Sequence, residues 1–209
     1  MFSAEHFIDL IIMGWLPNIP LAIGSIISIS VFCERLWSFK GLEEASRQMA
    51  SKVIEALLRR DLEGAKRVCA ESELPAAAMF HEGLEWKNVA AEDLDRVFAT
   101  RRAELASGLK RGVWMIGTVG SLAPFVGIFG TVVGIIRAFG VMSESGETGF
   151  QVVSANLSEA LIATAAGLGV AIVALSFFNY LQIRIGSLNA VYARSSERST
   201  DLSGASYFS

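Results

Sequence analysis

Residues 112–183 read GVWMIGTVGSLAPFVGIFGTVVGIIRAFGVMSESGETGFQVVSANLSEALIATAAGLGVAIVALSFFNYLQI, and this run decides the fold. Its only charges are Arg137, Glu144, Glu147 and Glu159. A bilayer core is crossed by about 20 apolar residues in helical form. The run is long enough for two crossings joined by a short polar hairpin. The expected spans are 112–141 and 152–183, with the hairpin at 142–151. The second is longer than the hydrocarbon is thick, so it must tilt or project into water.

Upstream, residues 1–33 hold Glu5 and Asp9 and no Lys or Arg. Pro17, Asn18 and Pro20 interrupt the start of this apolar stretch. Proline is best tolerated in the first helical turn, so a first span is expected at 17–37. Residues 1–16 then form the N-terminal segment, with a short interfacial helix at 7–15 and Trp15 at headgroup level. The segment lacks a basic start and is expected to be retained rather than cleaved as a signal.

Most other charges fall between Glu34 and Arg111. Over 209 residues, 52% are hydrophobic and 19% charged, against about 25% charged in a soluble domain. Net charge is −3 and no basic stripe is present. This argues against a soluble enzyme, a disordered chain and a nucleic-acid binder. The expected class is all-α, a polytopic membrane protein with three transmembrane helices and a helical domain at 38–111 between the first two.

Orientation follows from Lys and Arg. The block from Lys40 to Arg111 is rich in them, the N-terminal segment and the hairpin have none, and the tail 184–209 has Arg184, Arg194 and Arg198. The positive-inside rule puts the N-terminus and hairpin outside, in the periplasm, and the block and tail in the cytoplasm.

The polar block reads as helix. Met49, Val53, Ala56 and Leu57 recur at helical spacing, then Leu62, Ala65, Val68 and Cys69. Asp61-Leu62-Glu63-Gly64 marks a turn. Pro75 opens another helix, 88–91 reads as a loop, and Glu92 starts a long helix expected to run on unbroken into the second span. The alternating charges describe either a solvated face or a docking surface. Cys33 and Cys69 make neither a ligand cluster nor an obvious disulfide. His6 and His81 lie outside the spans with no triad or metal spacing around them. No cofactor or metal is implied, and an enzyme is the least supported class.

Small residues shape both hairpin helices. Gly130 and Gly134 form a GxxxG, and Pro124, Gly127, Thr131 and Gly134 share a face. Ala163, Gly167, Val170, Ala171 and Ala174 make a second small face. The two helices should pack as an antiparallel pair, with Gly127, Gly130, Gly134, Ala163 and Gly167 as packing positions. Helix packing alone would account for them.

The polar residues inside the spans carry more information, because an ionisable group at membrane depth is expensive. Folding the hairpin near Glu147 or Thr148 brings Glu159 level with Ile136 and Arg137, and Thr131 level with Thr164. This gives two layers, an outer Arg137–Glu159 charge pair and an inner ring of hydroxyls. Each has a plainer alternative. Arg137 can snorkel, Glu159 can be a structural carboxylate, and each threonine can bond its own i−4 carbonyl.

At these residues the chain resembles the ExbB/TolQ/MotA proton-channel family, its ExbB/TolQ branch above all. Residues 123–135, APFVGIFGTVVGI, are similar to the pattern A-P-L-L-G-L-L-G-T-V-x-G-M. Residues 158–168, SEALIATAAGL, are similar to A-E-A-L-x-A-T-A-x-G-L. Glu34-Arg35, Asn179 and the Asp61–Ala65 turn also fit. Two positions depart. Arg137 stands where Asn or another polar residue is common, and Ala171-Ile172-Val173-Ala174 lacks a proline.

The resemblance implies a bacterial inner-membrane subunit forming a homopentamer. Its second and third helices would line a pore around a single-span ExbD- or TolR-like partner with a membrane Asp. The complex would couple proton-motive force to work across the periplasm, as in TonB-dependent transport or Tol-Pal envelope maintenance. A TonB- or TolA-like component would be the further partner. Thr131, Thr164 and Glu159 match the family's pore and proton-pathway positions. Two other readings stand beside this: a stator of a gliding or flagellar-type motor, and a passive membrane scaffold.

Overall fold

A computed structural model describes residues 15–85, 91–145 and 150–207. The expected interfacial helix (save Trp15), His6, the 88–91 loop (save Ala91) and the centre of the hairpin lie outside the described residues. The described chain is helical: α1 (Trp15–Phe39), α2 (Leu42–Leu58), α3 (Leu62–Ala70), α4 (Pro75–Glu85), α5 (Ala91–Lys110), α6 (Val113–Ser145) and α7 (Phe150–Tyr207). Three of them are long and apolar enough to cross a membrane. The chain divides into two compact units.

The first unit takes its described residues from Met1–Glu34 and Gly112–Tyr180, so α1, α6 and α7 all contribute. Its centre is small. Ala123 and Ala171 are buried with Leu21, and Val126 and Val170 pack against them. The large side chains point the other way: Phe125, Ile136 and Ile172 are each more than 60% exposed. A soluble fold inverts that arrangement; lipid or a neighbouring subunit is what such a surface suits. Pro17 falls in the first turn of α1, where the amides have no helical acceptor, and Pro20 lies inside the helix and forfeits its bond to the Leu16 carbonyl. Pro124 sits inside α6 and forfeits its bond to the Gly120 carbonyl. Phe32 stacks on Phe177 at 3.9 Å between ring centres, with Tyr180 edge-on at 6.0 Å.

The second unit takes its described residues from Arg35–Arg111 and Leu181–Ser209. Met49, Ala50, Val53 and Ile54 form the buried stripe of α2. Asp61 caps α3 by accepting the Gly64 amide at 2.8 Å. Phe80 and Phe98 meet edge-on at 6.2 Å, joining α4 to α5. Phe98 lies over Gly83, where a larger residue would clash.

One expectation is corrected here. The helix begun near Glu92 does not run unbroken into the second span. α5 stops at Lys110, and Gly112 takes φ +78° before α6 begins at Val113. Left-handed backbone is cheap only for glycine, and that lets the chain break where apolar periodicity alone shows continuity. Beyond the third expected span α7 continues, helical through to Tyr207. Leu181, Ile185, Leu188 and Tyr192 are each almost wholly buried in the second unit. The Tyr192 hydroxyl contacts Ser46 at 3.5 Å, and the Ser187 hydroxyl donates to Glu43 at 3.1 Å. On either side of the expected hairpin, α6 reaches Ser145 and α7 begins at Phe150.

Candidate functional site

Glycine brings α6 and α7 into backbone contact. A Cβ at Gly167 would lie 2.6 Å from the Ala123 carbonyl oxygen and 2.9 Å from Gly127 Cα. A Cβ at Gly127 would lie 3.0 Å from Thr164 Cα. Neither site can host a side chain without moving backbone. Gly130 faces Ala163 Cβ and the Pro17 ring, each 3.0 Å from where its own Cβ would be, so three helices meet there. Gly134 is half-buried further out. Toward the other end, Gly120 faces Leu175 and Gly117 faces Phe178. These contacts fix an antiparallel register.

That register brings Thr131 and Thr164 together, and their hydroxyls touch. The Thr164 hydroxyl donates to the Gly127 carbonyl at 2.9 Å, across the helix pair. The Thr131 hydroxyl lies 3.4 Å from two carbonyls, its own helix's Gly127 and the Ala160 of α7. Each hydroxyl has one proton and two acceptor lone pairs. With Thr164 donating to Gly127, the Thr131 proton serves Thr164 or one of the two longer contacts. Both protons then point into the helix pair. The capacity left over is acceptor capacity. Both threonines are half-buried, so the pair is reachable from one side.

The outer layer is more open. Carried along the pair, the same register sets Glu159 opposite residues 132–136. Glu159 is half-buried and Arg137 exposed. Among the described residues no ion pair joins these two. Arg137 does make a polar contact of its own. Also among the described residues, no three His, Cys, Asp or Glu gather as a metal site.

Sequence reasoning did not anticipate the contacts that the end of α7 makes in the second unit, with Glu43, Ser46, Ser187 and Tyr192. The signal was present in the 4-3-4 spacing of Leu181, Ile185, Leu188 and Tyr192. Serine-rich composition beyond Arg194 obscured it.

Comparison with known proteins agrees with this geometry. The family described as the MotA/TolQ/ExbB proton channel family matches residues 71–193. The biopolymer transport protein ExbB of Pseudomonas putida is 32% identical over 199 residues, covering 90% of this chain and 57% of that protein. The Tol-Pal system protein TolQ of Haemophilus influenzae is 40% identical over 84 residues, 40% of this chain and 37% of its own length. ExbB of Salmonella typhimurium is 40% identical over 90 residues, 43% of this chain and 37% of that protein. The chain therefore spans little more than half the length of even the most fully covered of these three relatives. The matched region takes in both threonines, Glu159 and the glycine contacts that pair α6 with α7, and the named relatives fall in the ExbB/TolQ branch. This membrane protein belongs to the MotA/TolQ/ExbB proton channel family.

Proposed function

We propose that the chain is the channel-forming, stator-type subunit of a bacterial inner-membrane complex that couples proton-motive force to work across the periplasm. The observation that carries this is the Thr131–Thr164 hydroxyl pair, set between two helices whose other contacts at that depth are glycine and alanine. One bond, from Thr164 to the Gly127 carbonyl, serves the packing of the two helices, and the hydroxyls keep further lone pairs beyond it. Their spare acceptor capacity suits water or a protonated carboxyl group. One proton crossing 100 mV releases about 2.3 kcal/mol, so several per step could drive a conformational change.

The chain by itself has too few membrane carboxylates for a proton wire. A single-span ExbD- or TolR-like subunit with a membrane Asp would supply the carrying group, inside a homopentamer of this chain. Glu159 would tune the charge near the outer mouth. There it would form a charge pair with Arg137, within one chain or across a subunit boundary. The second unit would be cytoplasmic and the hairpin periplasmic. The names of the relatives, biopolymer transport and Tol-Pal system proteins, support TonB-dependent transport or Tol-Pal envelope maintenance as the process served.

The test is complementation of a strain lacking the native subunit, with its partner co-expressed. Thr131→Ala, Thr164→Ala and Glu159→Ala should each lower partner-dependent activity at least tenfold, with normal assembly. Thr131→Ser and Thr164→Ser should retain most of it. Full activity in all three alanine variants would leave the passive-scaffold reading in its place.

A further inference from the structure

The first turn of α1 reaches the threonine pair from the side. Pro17 is buried, and its Cβ and Cγ each lie 3.0 Å from the point where a Cβ on Gly130 would stand. The Ala163 Cβ lies at the same distance from that point. Gly130 immediately precedes Thr131, and Ala163 immediately precedes Thr164. The proline ring therefore fills the notch next to both threonines, against one residue from each helix of the pair. Successive residues on a helix point about 100° apart. The ring thus sits beside the seam that the two hydroxyls bridge, not in it.

The rest of α1 is seated by other contacts. Leu21 is buried with Ala123 and Ala171. A Cβ at Gly24 would lie 3.1 Å from Val119 Cγ1. Phe32 stacks on Phe177. Of these contacts only that of Pro17 falls beside the threonines. Removing ring atoms at this position leaves the others in place, so α1 stays docked on α6 and α7.

Proline suits a wedge. Its ring closes on its own backbone nitrogen, so its shape is fixed. In the first helical turn its missing amide proton forfeits no bond. Packed interiors transmit a change of shape instead of absorbing it. Without the ring, α6 and α7 can roll into the vacated notch, which turns Gly130 and Ala163 and draws the neighbouring hydroxyls apart.

We infer that Pro17 is a positioning residue, whose ring sets the spacing of α6 and α7 at Gly130 and Ala163 and so holds the Thr131 and Thr164 hydroxyls in contact. That this contact serves proton transfer rests on the function proposed above; that Pro17 sets it does not.

The spacing can be read by crosslinking. The full chain carries Cys33→Ala, Cys69→Ala, Thr131→Cys and Thr164→Cys and is expressed with its partner. Hydroxyls that touch put the two replacing sulfurs within bonding reach. Disulfide formation with copper phenanthroline in membranes is followed by the loss of sites for a maleimide-polyethylene glycol. Pro17→Ala, which removes Cγ and Cδ, should slow the reaction by about threefold or more. Pro17→Val, which restores Cγ atoms without the ring's hold on the backbone, should recover most of the rate. In the chain with both threonines present, Pro17→Ala should lower partner-dependent activity by a similar factor with normal assembly, and Pro17→Val should restore it. An unchanged crosslinking rate in Pro17→Ala, or equal rates in Pro17→Ala and Pro17→Val, would overturn the positioning role. Slowed crosslinking with full activity would uphold that role and count instead against the threonine contact as part of the proton path.

Discussion

At Gly167 the space for a methyl group is already taken by the Ala123 carbonyl oxygen, 2.6 Å from where the Cβ would stand. The neighbour is backbone and cannot rotate aside. Gly167→Ala should therefore push α7 off α6 and cost about 1–3 kcal/mol. It should also part the two threonine hydroxyls. Gly169 is the control, two residues along the same helix with nothing within 4 Å of its Cβ position. Thermal unfolding in detergent should fall clearly for Gly167→Ala and stay unchanged, or rise slightly, for Gly169→Ala. A second residue-level outcome concerns Cys69. It is buried, and burial raises its thiol pKa to about 11. The raised value favours the protonated form, so at pH 8 nearly all of it is unreactive thiol. Alkylation of Cys69 should be slow in the folded protein and rapid after denaturation. This also fixes the sign of its pH effect. The unfolded thiol ionises near pH 8.5 while the folded one does not, so its contribution to stability is lost as pH rises from about 8.5 toward 11.

Among the elements, the three spans were legible because a bilayer demands long uncharged runs, and few other structures do. The meeting of Thr131 and Thr164 was legible for a related reason: a short hairpin leaves little freedom in register. Two features were not. The break at Gly112 depends on one backbone angle, and a glycine among helix formers does not announce which φ it will take. The end of α7 was hidden because Ser195, Ser196, Ser199 and Thr200 resemble a polar tail. In the structure, however, Ser195, Ser199 and Thr200 bond carbonyls four residues back along the same helix, and Ser196 bonds the carbonyl three back. Bonded inward, such residues can be buried in a helix at little cost. Leu188 tests whether that extension matters to the second unit. It is 2% exposed, so Leu188→Ala should destabilise the unit by about 2–4 kcal/mol. Ile183, 72% exposed, should tolerate alanine with little change. Limited proteolysis of the region around α2 and α3 would report the difference.

Across the whole molecule, the argument about direction rests on charge. The described part of the second unit holds most of the chain's Lys and Arg, and the hairpin 142–151 holds none. Moving a basic segment through the membrane is costly, so the second unit should stay in the cytoplasm and the hairpin should face the periplasm. Both faces offer exposed serines for a labelling test, Ser51 in α2 and Ser143 at the end of α6. In a background with Cys33 and Cys69 replaced by alanine, Ser143→Cys should react with a membrane-impermeant maleimide in intact spheroplasts. Ser51→Cys should react only after lysis. The proton path depends on this result, because protons enter from the side of higher potential. With the hairpin outside, a proton on the proposed path would meet the Glu159 level first and the threonine pair second. The reverse labelling pattern would put the threonine pair first and would remove the role assigned to Glu159 at the entrance.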